Sequence, residues 1–325
     1  MFAKHSGYIF LGAATIACLA LANASRARRA LLGRRPGKFI EVNGTCLHFL
    51  EAGVGMPLLL LHGNGASVED FTTSGIFGQA AEKYRVVAFD RPGFGRSTRP
   101  SGKAWSASAQ ADLIHAAAGK LGIRHYMVLG HSWGAAVALE LARRHPRSVT
   151  GLVVVSGYYY PQPRLGLFLS ALPALPLAGL AWRHTLLPLL VRLAWPWAMA
   201  KIFNPGRVPA EFAGITKELA SRPAQLLSIS AESALMLAAA LLPRLDYRDI
   251  VTPTGIVAGA GDKLFDAKRQ ASRLHAELRG SLLQIVPHAG HMAHHTASQA
   301  VLAMIDDVAA LGMAPPSRAT ASSGN

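Results

Sequence analysis

Gly130-His131-Ser132-Trp133-Gly134 places a serine between two glycines, directly after the apolar run of residues 126–129. The helix-forming series 135–142 follows at once, so the pattern predicts a strand, a sharp turn and a helix. A serine at such a turn projects its hydroxyl away from the backbone, and the flanking glycines leave room for the tight turn. Ser132 is therefore the predicted nucleophile.

A serine hydroxyl is a weak nucleophile, so Ser132 needs a histidine to take its proton and an acid to orient that histidine. Asp262 follows one predicted strand, and His291 follows the next strand along the chain. Because loops after parallel strands meet at one edge of a sheet, these side chains can converge. Neighbouring residues remain as alternatives, with Asp266 for the acid and His288, His294 and His295 for the base.

A reaction at a carbonyl carbon also needs donors for the oxyanion that forms, and fixed backbone N–H groups suit this purpose. The amide of Trp133 lies at the predicted start of a helix, where N–H groups have no partner within the helix. The amide of Asn64 is the second predicted donor, because it follows His62-Gly63 in the loop after the apolar run 57–61. We predict neither a cofactor nor a metal ion.

The rest of the chain alternates short apolar strands with helical patterns, which predicts an α/β fold with a mostly parallel sheet and helices on both faces. Asn43-Gly44 joins two alternating strands, which is a strong hairpin signal. After residue 157 the alternation stops, and helical apolar segments interrupted by prolines follow. We predict a core of residues 38–157 and 248–312, an inserted helical cap of residues 158–247, and a disordered tail at 313–325.

The N-terminus contains an uncharged segment, residues 7–24, after a flank of residues 1–6. This segment suits a membrane span or a signal peptide, and cleavage between Ala24 and Ser25 is acceptable for a signal peptidase. The basic residues of the following linker, 25–37, favour keeping the downstream side in the cytoplasm. We therefore predict an uncleaved single span with a cytosolic catalytic domain, and export after cleavage is the alternative.

The chain of 325 residues has 33 Lys and Arg against 18 Asp and Glu, a formal net charge of +15. Its basic residues are scattered and accompany no nucleic-acid-binding signature, so nucleic acid is not a predicted partner. An anionic membrane surface is the predicted partner instead. Cys18 and Cys46 are the only cysteines, and because Cys18 lies in the hydrophobic segment, no structural disulfide is predicted.

The motifs together resemble those of the α/β-hydrolase fold family, in its capped, esterase-like type. They follow the family's order: residues 62–65, 90–97 and 130–134, then Gly261-Asp262 and Gly290-His291. By this resemblance the nucleophile, acid and base are Ser132, Asp262 and His291, and the oxyanion hole is formed by the amides of Asn64 and Trp133. The expected activity is hydrolysis of carboxylic esters through an acyl-enzyme.

The pairing of Asn64 with a tryptophan after the nucleophile also resembles haloalkane dehalogenases. That family has an aspartate nucleophile where this chain has Ser132, so dehalogenation and epoxide opening are not expected. The remaining alternatives are a cofactor-free perhydrolase, a C–C bond hydrolase on the same triad, and a non-catalytic binding protein.

The predicted cap contains an uncharged apolar stretch, residues 165–182, in which Pro173 and Pro176 argue against a second membrane span. The stretch is either a buried helix pair over the site or a lid whose apolar face touches a bilayer. In the second case four basic side chains point toward lipid headgroups, namely Arg164, Arg183, Arg192 and Lys201. Both cases give apolar walls, so we expect a hydrophobic, lipid-like ester as the substrate.

Overall fold

The computed structural model describes residues 2–32, 36–162, 164–241 and 246–313, without the side chains of residues 2–11, 13 and 313. Its strands are β1 (Lys38–Val42), β2 (Thr45–Ala52), β3 (Pro57–Leu61), β4 (Arg85–Phe89), β5 (Tyr126–His131), β6 (Val149–Val155), β7 (Thr254–Gly259) and β8 (Leu282–Val286). They form one sheet in the order β1-β2-β4-β3-β5-β6-β7-β8. The pairs β1/β2 and β2/β4 are antiparallel and the others parallel, which confirms the predicted mostly parallel sheet.

The described α-helices are α1 (Phe2–Arg29), α2 (Glu69–Thr73), α3 (Ile76–Ala80), α4 (Ala107–Lys120), α5 (Trp133–Arg144), α6 (Leu165–Ala171), α7 (Ala178–His184), α8 (Leu187–Phe203), α9 (Ala210–Ala220), α10 (Pro223–Ala239), α11 (Arg273–Glu277), α12 (Ala293–Thr296) and α13 (Ser298–Met313). Helices cover both faces of the sheet. Along β3, Leu59 and Leu61 pack with α4 and α5, whereas Leu58 and Leu60 pack with α3 and α13. Strand β3 is therefore buried on both sides, as its continuous apolar run predicts.

The turn between β1 and β2 has the geometry that its sequence predicts. Asn43 and Gly44 have φ angles of 50° and 74°. A two-residue turn with both φ values positive matches the right-handed twist of the flanking strands, and asparagine and glycine adopt it most easily. The hairpin brings β2 beside β4 and so adds two antiparallel strands at one edge of the parallel part of the sheet.

Between β6 and β7 the described residues form helices α6 to α10 and no strand. We call these five helices the cap. Pro196 lies inside α8 rather than at a break, so one backbone bond is lost there without ending the helix. Glu232 of α10 forms a fully buried ion pair with Arg91, which follows β4. This pair joins the cap to the core.

Helix α1 is longer than the predicted span of residues 7–24. It continues to Arg29, into the predicted linker 25–37, because alanine and arginine favour helix and basic side chains suit a helix C-terminus. The side-chain amide of Asn23 donates to the carbonyl oxygens of His184 and Thr185 at 3.0 and 2.8 Å, so α1 lies against the cap.

Among the residues whose side chains the structure describes, which leave out 2–11 and 13 of α1, no single helix is both long and apolar enough for a membrane span. The helix pair Leu165–Ala174 and Ala178–His184 reaches that length and composition only together, and its halves are bent by 93°. The predicted disordered tail, residues 313–325, lies outside the described residues except for Met313, which is the last residue of α13.

Candidate active site

Ser132 occupies the sharp turn between β5 and α5 with φ 54° and ψ −116°. Two glycines make this turn possible. A Cβ atom on Gly134 would lie 2.1 Å from the carbonyl oxygen of Leu61, and one on Gly130 would lie 2.3 Å from the carbonyl oxygen of Gly134. Because any side chain at either position would meet backbone, the G-x-S-x-G pattern is a steric requirement of the turn.

The structure brings the three predicted triad residues together at the carboxyl edge of the sheet. His291 Nε2 lies 3.0 Å from Ser132 Oγ, and His291 Nδ1 lies 2.8 Å from Asp262 Oδ2. All three side chains are almost fully buried. With Nδ1–H donating to the carboxylate, Nε2 is left to accept the serine proton, which is the arrangement of an activated nucleophile.

The alternative residues do not contact Ser132. Asp266 is exposed, and its carboxylate accepts the backbone N–H of Arg269 at 2.9 Å. His288 is exposed as well. His294 and His295 instead contact a different carboxylate, that of Asp70.

Asp262 is held as a carboxylate by its surroundings. Burial is the largest single influence on the pKa of Asp262 and would raise it, but the charge and hydrogen bond of His291 act the other way and the pKa is lowered overall. The backbone N–H groups of Leu264 and Phe265 add to this lowering through hydrogen bonds to Oδ1 at 2.7 and 3.0 Å. The ionised Asp262 therefore fixes the orientation of the imidazole and stabilises its protonated form.

The loop that carries the predicted oxyanion donor runs directly beside the nucleophile. A Cβ atom on Gly63 would lie 2.9 Å from the Cβ of Ser132. The side chain of Asn64 donates to the carbonyl oxygen of Ile229 at 3.3 Å, so it is used for contact with the cap, and the backbone N–H stays the predicted oxyanion donor. Trp133 is the first residue of α5, so its N–H has no intrahelical acceptor.

A cavity of about 590 Å³ begins at the side chain of Trp133 and runs along α5 beneath the cap. It is bordered by α5, by the loop after β6 and by α10, including Ala136, Glu140, Tyr158, Tyr159, Tyr160, Leu235 and Ala239. Tyr158 packs at a tilt on Phe265 at 4.9 Å, and Phe265 packs on His291 at 5.2 Å between ring centroids. The ring of Phe265 therefore separates this side of the cavity from His291, and Trp133 is the lining residue next to Ser132 in the chain. Sequence reasoning missed the three tyrosines, although their position directly after a strand was a usable signal.

One group of ligand-type side chains lies close together among the described residues. Asp70, His131 and His294 are fully buried, with potential metal-binding atoms within 4.8 Å of one another. Sequence reasoning assigned no role to Asp70 or His131. The signal was present, since His131 directly precedes the nucleophile.

Comparisons with known proteins agree with the fold described above. A family model described as alpha/beta hydrolase fold matches residues 56–298. Haloalkane dehalogenase 2 of Mycobacterium tuberculosis is 26% identical over 267 residues, which cover 80% of this chain and 90% of that protein.

Solved structures agree with that match. A membrane phospholipase A described as a bacterial virulence factor has a TM-score of 0.67 at 23% identity, covering 95% of this chain and 99% of that one. An esterase from Thermogutta terrifontis has a TM-score of 0.67 at 20% identity, covering 85% and 98%. At these identities the likeness shows the shared fold alone.

Replacing Asp262 by Asn tests the identity of the acid. We expect the rate at which a fluorophosphonate labels Ser132 to fall by about 10⁴-fold, because the amide no longer stabilises the imidazolium or the correct tautomer. Asp266→Asn is the matched control and should label at the wild-type rate. A larger loss in Asp266→Asn than in Asp262→Asn would contradict the assignment.

Proposed function

The chain belongs to the alpha/beta hydrolase fold family and is a hydrolase, and from this premise we propose that it cleaves carboxylic esters of hydrophobic compounds through an acyl-enzyme. The observation that carries the proposal is the continuous chain of hydrogen bonds from Ser132 through His291 to Asp262. This chain supplies a nucleophile, a base and an orienting acid without any further group.

Each step of the reaction has a residue to perform it. Ser132 Oγ attacks the ester carbonyl carbon while His291 Nε2 takes its proton. The backbone N–H groups of Asn64 and Trp133 receive the oxyanion, and such donors contribute roughly 3 kcal/mol each in comparable sites. His291 then gives the proton to the departing alcohol, and Asp262 stabilises the transient imidazolium. Water then attacks the acyl carbon while His291 takes its proton, and as the bond to Ser132 Oγ breaks, His291 returns that proton to Oγ and the acid is released.

The identity of the nucleophile favours acyl transfer over displacement at an alkyl carbon. A serine that attacked an alkyl carbon would form an ether, which an activated water does not cleave. A serine that attacks a carbonyl carbon forms an ester, which the same water can hydrolyse. Ser132 therefore separates the proposed reaction from the one named for the dehalogenase relative.

The cavity beside Trp133 supports an apolar substrate. Its border with α10 is formed by Leu235 and by small residues such as Ala239, and the loop after β6 adds aromatic rings. Charged side chains of α5 also line it, namely Glu140, Arg143 and Arg144, so the apolar chain would lie toward α10. Concave, mostly apolar cavities with few polar groups are typical of small-molecule sites. We propose that this cavity holds the hydrophobic chain of the ester.

Replacing Ser132 by Ala tests the reaction class. Wild-type protein should hydrolyse short-chain p-nitrophenyl esters and bind one fluorophosphonate, and Ser132→Ala should do neither while it unfolds at the wild-type temperature. Ser156→Ala is the matched control, because Ser156 also has a positive φ, 46°, at a strand end. Labelling of wild type without ester turnover would favour the C–C hydrolase or perhydrolase alternative. No labelling would contradict the serine-enzyme proposal.

Replacing Ala239 by Trp tests the cavity as the chain-binding site. The indole would fill space that the substrate chain needs, so kcat/KM for long-chain esters should fall at least about tenfold while acetyl esters are unaffected. Ala234→Trp is the control, because Ala234 is exposed on the same helix and does not border the cavity. An equal loss for acetyl and long-chain esters would contradict this assignment.

We also propose that the cap rests on an anionic membrane surface. Large apolar side chains are exposed along α6, α7, α8 and the segments between them, at Leu165, Phe168, Leu169, Leu175, Leu177, Leu180, Leu186, Leu189, Leu190, Leu193 and Trp197. We call this set the apolar patch. Exposed patches of this kind are typical of protein or membrane contact sites.

Three of the four basic side chains expected at lipid headgroups are held within the protein instead. Arg164 is one of them, and it donates to the carbonyl oxygen of Leu264. Arg183 is buried and donates to the carbonyl of Pro173, and Arg192 pairs with Glu218 at 3.1 Å. Burial and an ion partner hold these two arginines within the protein. Lys201 lies over the ring of Trp197 at 5.3 Å, at the edge of the apolar patch.

Helix α1 is the proposed anchor, with the catalytic domain on the cytosolic side. Cleavage between Ala24 and Ser25 would remove Asn23, which is buried against the cap and makes two hydrogen bonds to it. These contacts support retention of the segment.

Membrane fractions from cells that express the full chain test both membrane proposals. The protein should stay bound through a high-salt wash, because salt screens charge attraction but does not extract apolar groups. Protein sequencing should find residues ahead of Ser25.

The purified double variant Leu193→Glu/Trp197→Glu should bind anionic vesicles more weakly than the Val54→Glu variant, because Val54 is exposed outside the apolar patch. A mature chain that begins at Ser25 would contradict the anchor, and equal vesicle binding by both variants would contradict the patch.

A further inference from the structure

Three histidines and an aspartate form a buried group directly behind the triad. We call Asp70, His131, His294 and His295 the histidine cluster. Their side chains are at most 3% exposed. Asp70 comes from α2, His131 ends β5, and His294 and His295 lie in α12, just after His291. The cluster therefore connects three separate segments around the site, and the proposed mechanism does not use it.

Asp70 is the acceptor at the centre of the cluster. Its Oδ1 lies 2.9 Å from Nε2 of His294 and 2.9 Å from Nε2 of His295. Burial would raise the pKa of Asp70, but the histidines hold it well below its ordinary value. Burial lowers the pKa of His294 to about 3, so this ring is neutral and carries its proton on Nε2. These hydrogen bonds fix α12 to α2.

His131 links the cluster to the catalytic histidine. Its Nε2 lies 3.1 Å from the backbone carbonyl oxygen of His291. A carbonyl oxygen only accepts, so His131 Nε2 carries the proton and donates. The opposite nitrogen, Nδ1, lies 3.5 Å from Asp70 Oδ2. The His131 ring also packs against the rings of His291 and His294, at 5.0 and 4.1 Å between centroids.

We propose that His131 is a positioning residue for His291. Its Nε2–H holds the main chain of His291 so that the imidazole reaches Ser132, and the ring of His294 packs against the His131 ring. Because His131 and Ser132 are adjacent in sequence, one segment carries the nucleophile and also places the base. The proposal rests on the proposed role of His291 as the base.

The same side chains could in principle hold a metal ion, since three of them have ligand atoms within 4.8 Å. The hydrogen bonds already use part of this set. Nε2 of His294 and of His295 donates to Asp70, and a protonated ring nitrogen has no lone pair for a metal. Asp70 Oδ2 and the Nδ1 atoms of His131 and His294 have no hydrogen-bond partner among the described residues. We assign the cluster to positioning because its hydrogen bonds reach the main chain of His291, and metal content becomes an outcome of the test.

Substitutions of His131 test the proposal through kcat and KM for a short-chain ester. His131→Leu removes the donor, and we expect kcat to fall between about tenfold and a hundredfold with KM nearly unchanged, because a small misplacement of the base slows the chemical step. His131→Gln should restore most of kcat, since its amide N–H₂ reaches the position of Nε2. His131→Asn should not, because its shorter amide reaches only the position of Nδ1.

His115→Leu is the matched control. His115 bonds the hydroxyl of Tyr126, at the other end of β5, at 3.0 Å, and its loss should leave kcat unchanged. If His131→Leu does not fold, the comparison of His131→Gln with His131→Asn decides the question. Equal kcat in those two variants would overturn the proposal, as would one equivalent of metal whose removal by a chelator abolishes turnover. An inactive wild type would instead refute the proposed function.

Discussion

The placement of the cap depends on the buried ion pair between Arg91 and Glu232. Such a pair is costly to bury unless the remaining donors and acceptors have partners, and here Gln110 bonds both charged groups. Arg91 also donates to the carbonyl oxygen of His62 at 2.7 Å. Burial and the charge of Arg91 lower the pKa of His62 to about 3, so its ring is neutral. Its Nε2 accepts a hydrogen bond from the backbone N–H of Arg91. Arg91 thus holds two parts of the structure: the cap, through Glu232, and the loop that carries Asn64, through His62.

Features that depend on neighbours in the sequence could be predicted. The hairpin at Asn43-Gly44 and the strand Pro57–Leu61 follow from local backbone preferences and burial pattern, and the structure has both where they are expected. The approach of Ser132, Asp262 and His291 could also be predicted, because parallel strands bring their carboxyl ends to one edge. In each case a short pattern and a general rule of sheet geometry are sufficient.

Features that depend on distant contacts could not. His294 and His295 read as possible bases, since nothing in the sequence shows that Asp70, more than 220 positions earlier, accepts their protons. Arg183 reads as a surface residue, but the fold of the cap buries it. The continuation of α1 to Arg29 was missed because the change in charge near residue 25 marks a change in composition and does not end a helix.

The turn at Ser132 restricts the side chains two positions away far more than it restricts the side chain of residue 132. Gly130 and Gly134 meet backbone atoms about 2 Å from where a side chain would begin, while the side chain at 132 points into the space shared with His291. Within this five-residue segment, the glycines at 130 and 134 therefore allow the turn, and Ser132 carries the reactive hydroxyl. A fold built in this way can exchange its reactive atom, and with it the bond that is broken, while the surrounding architecture stays the same.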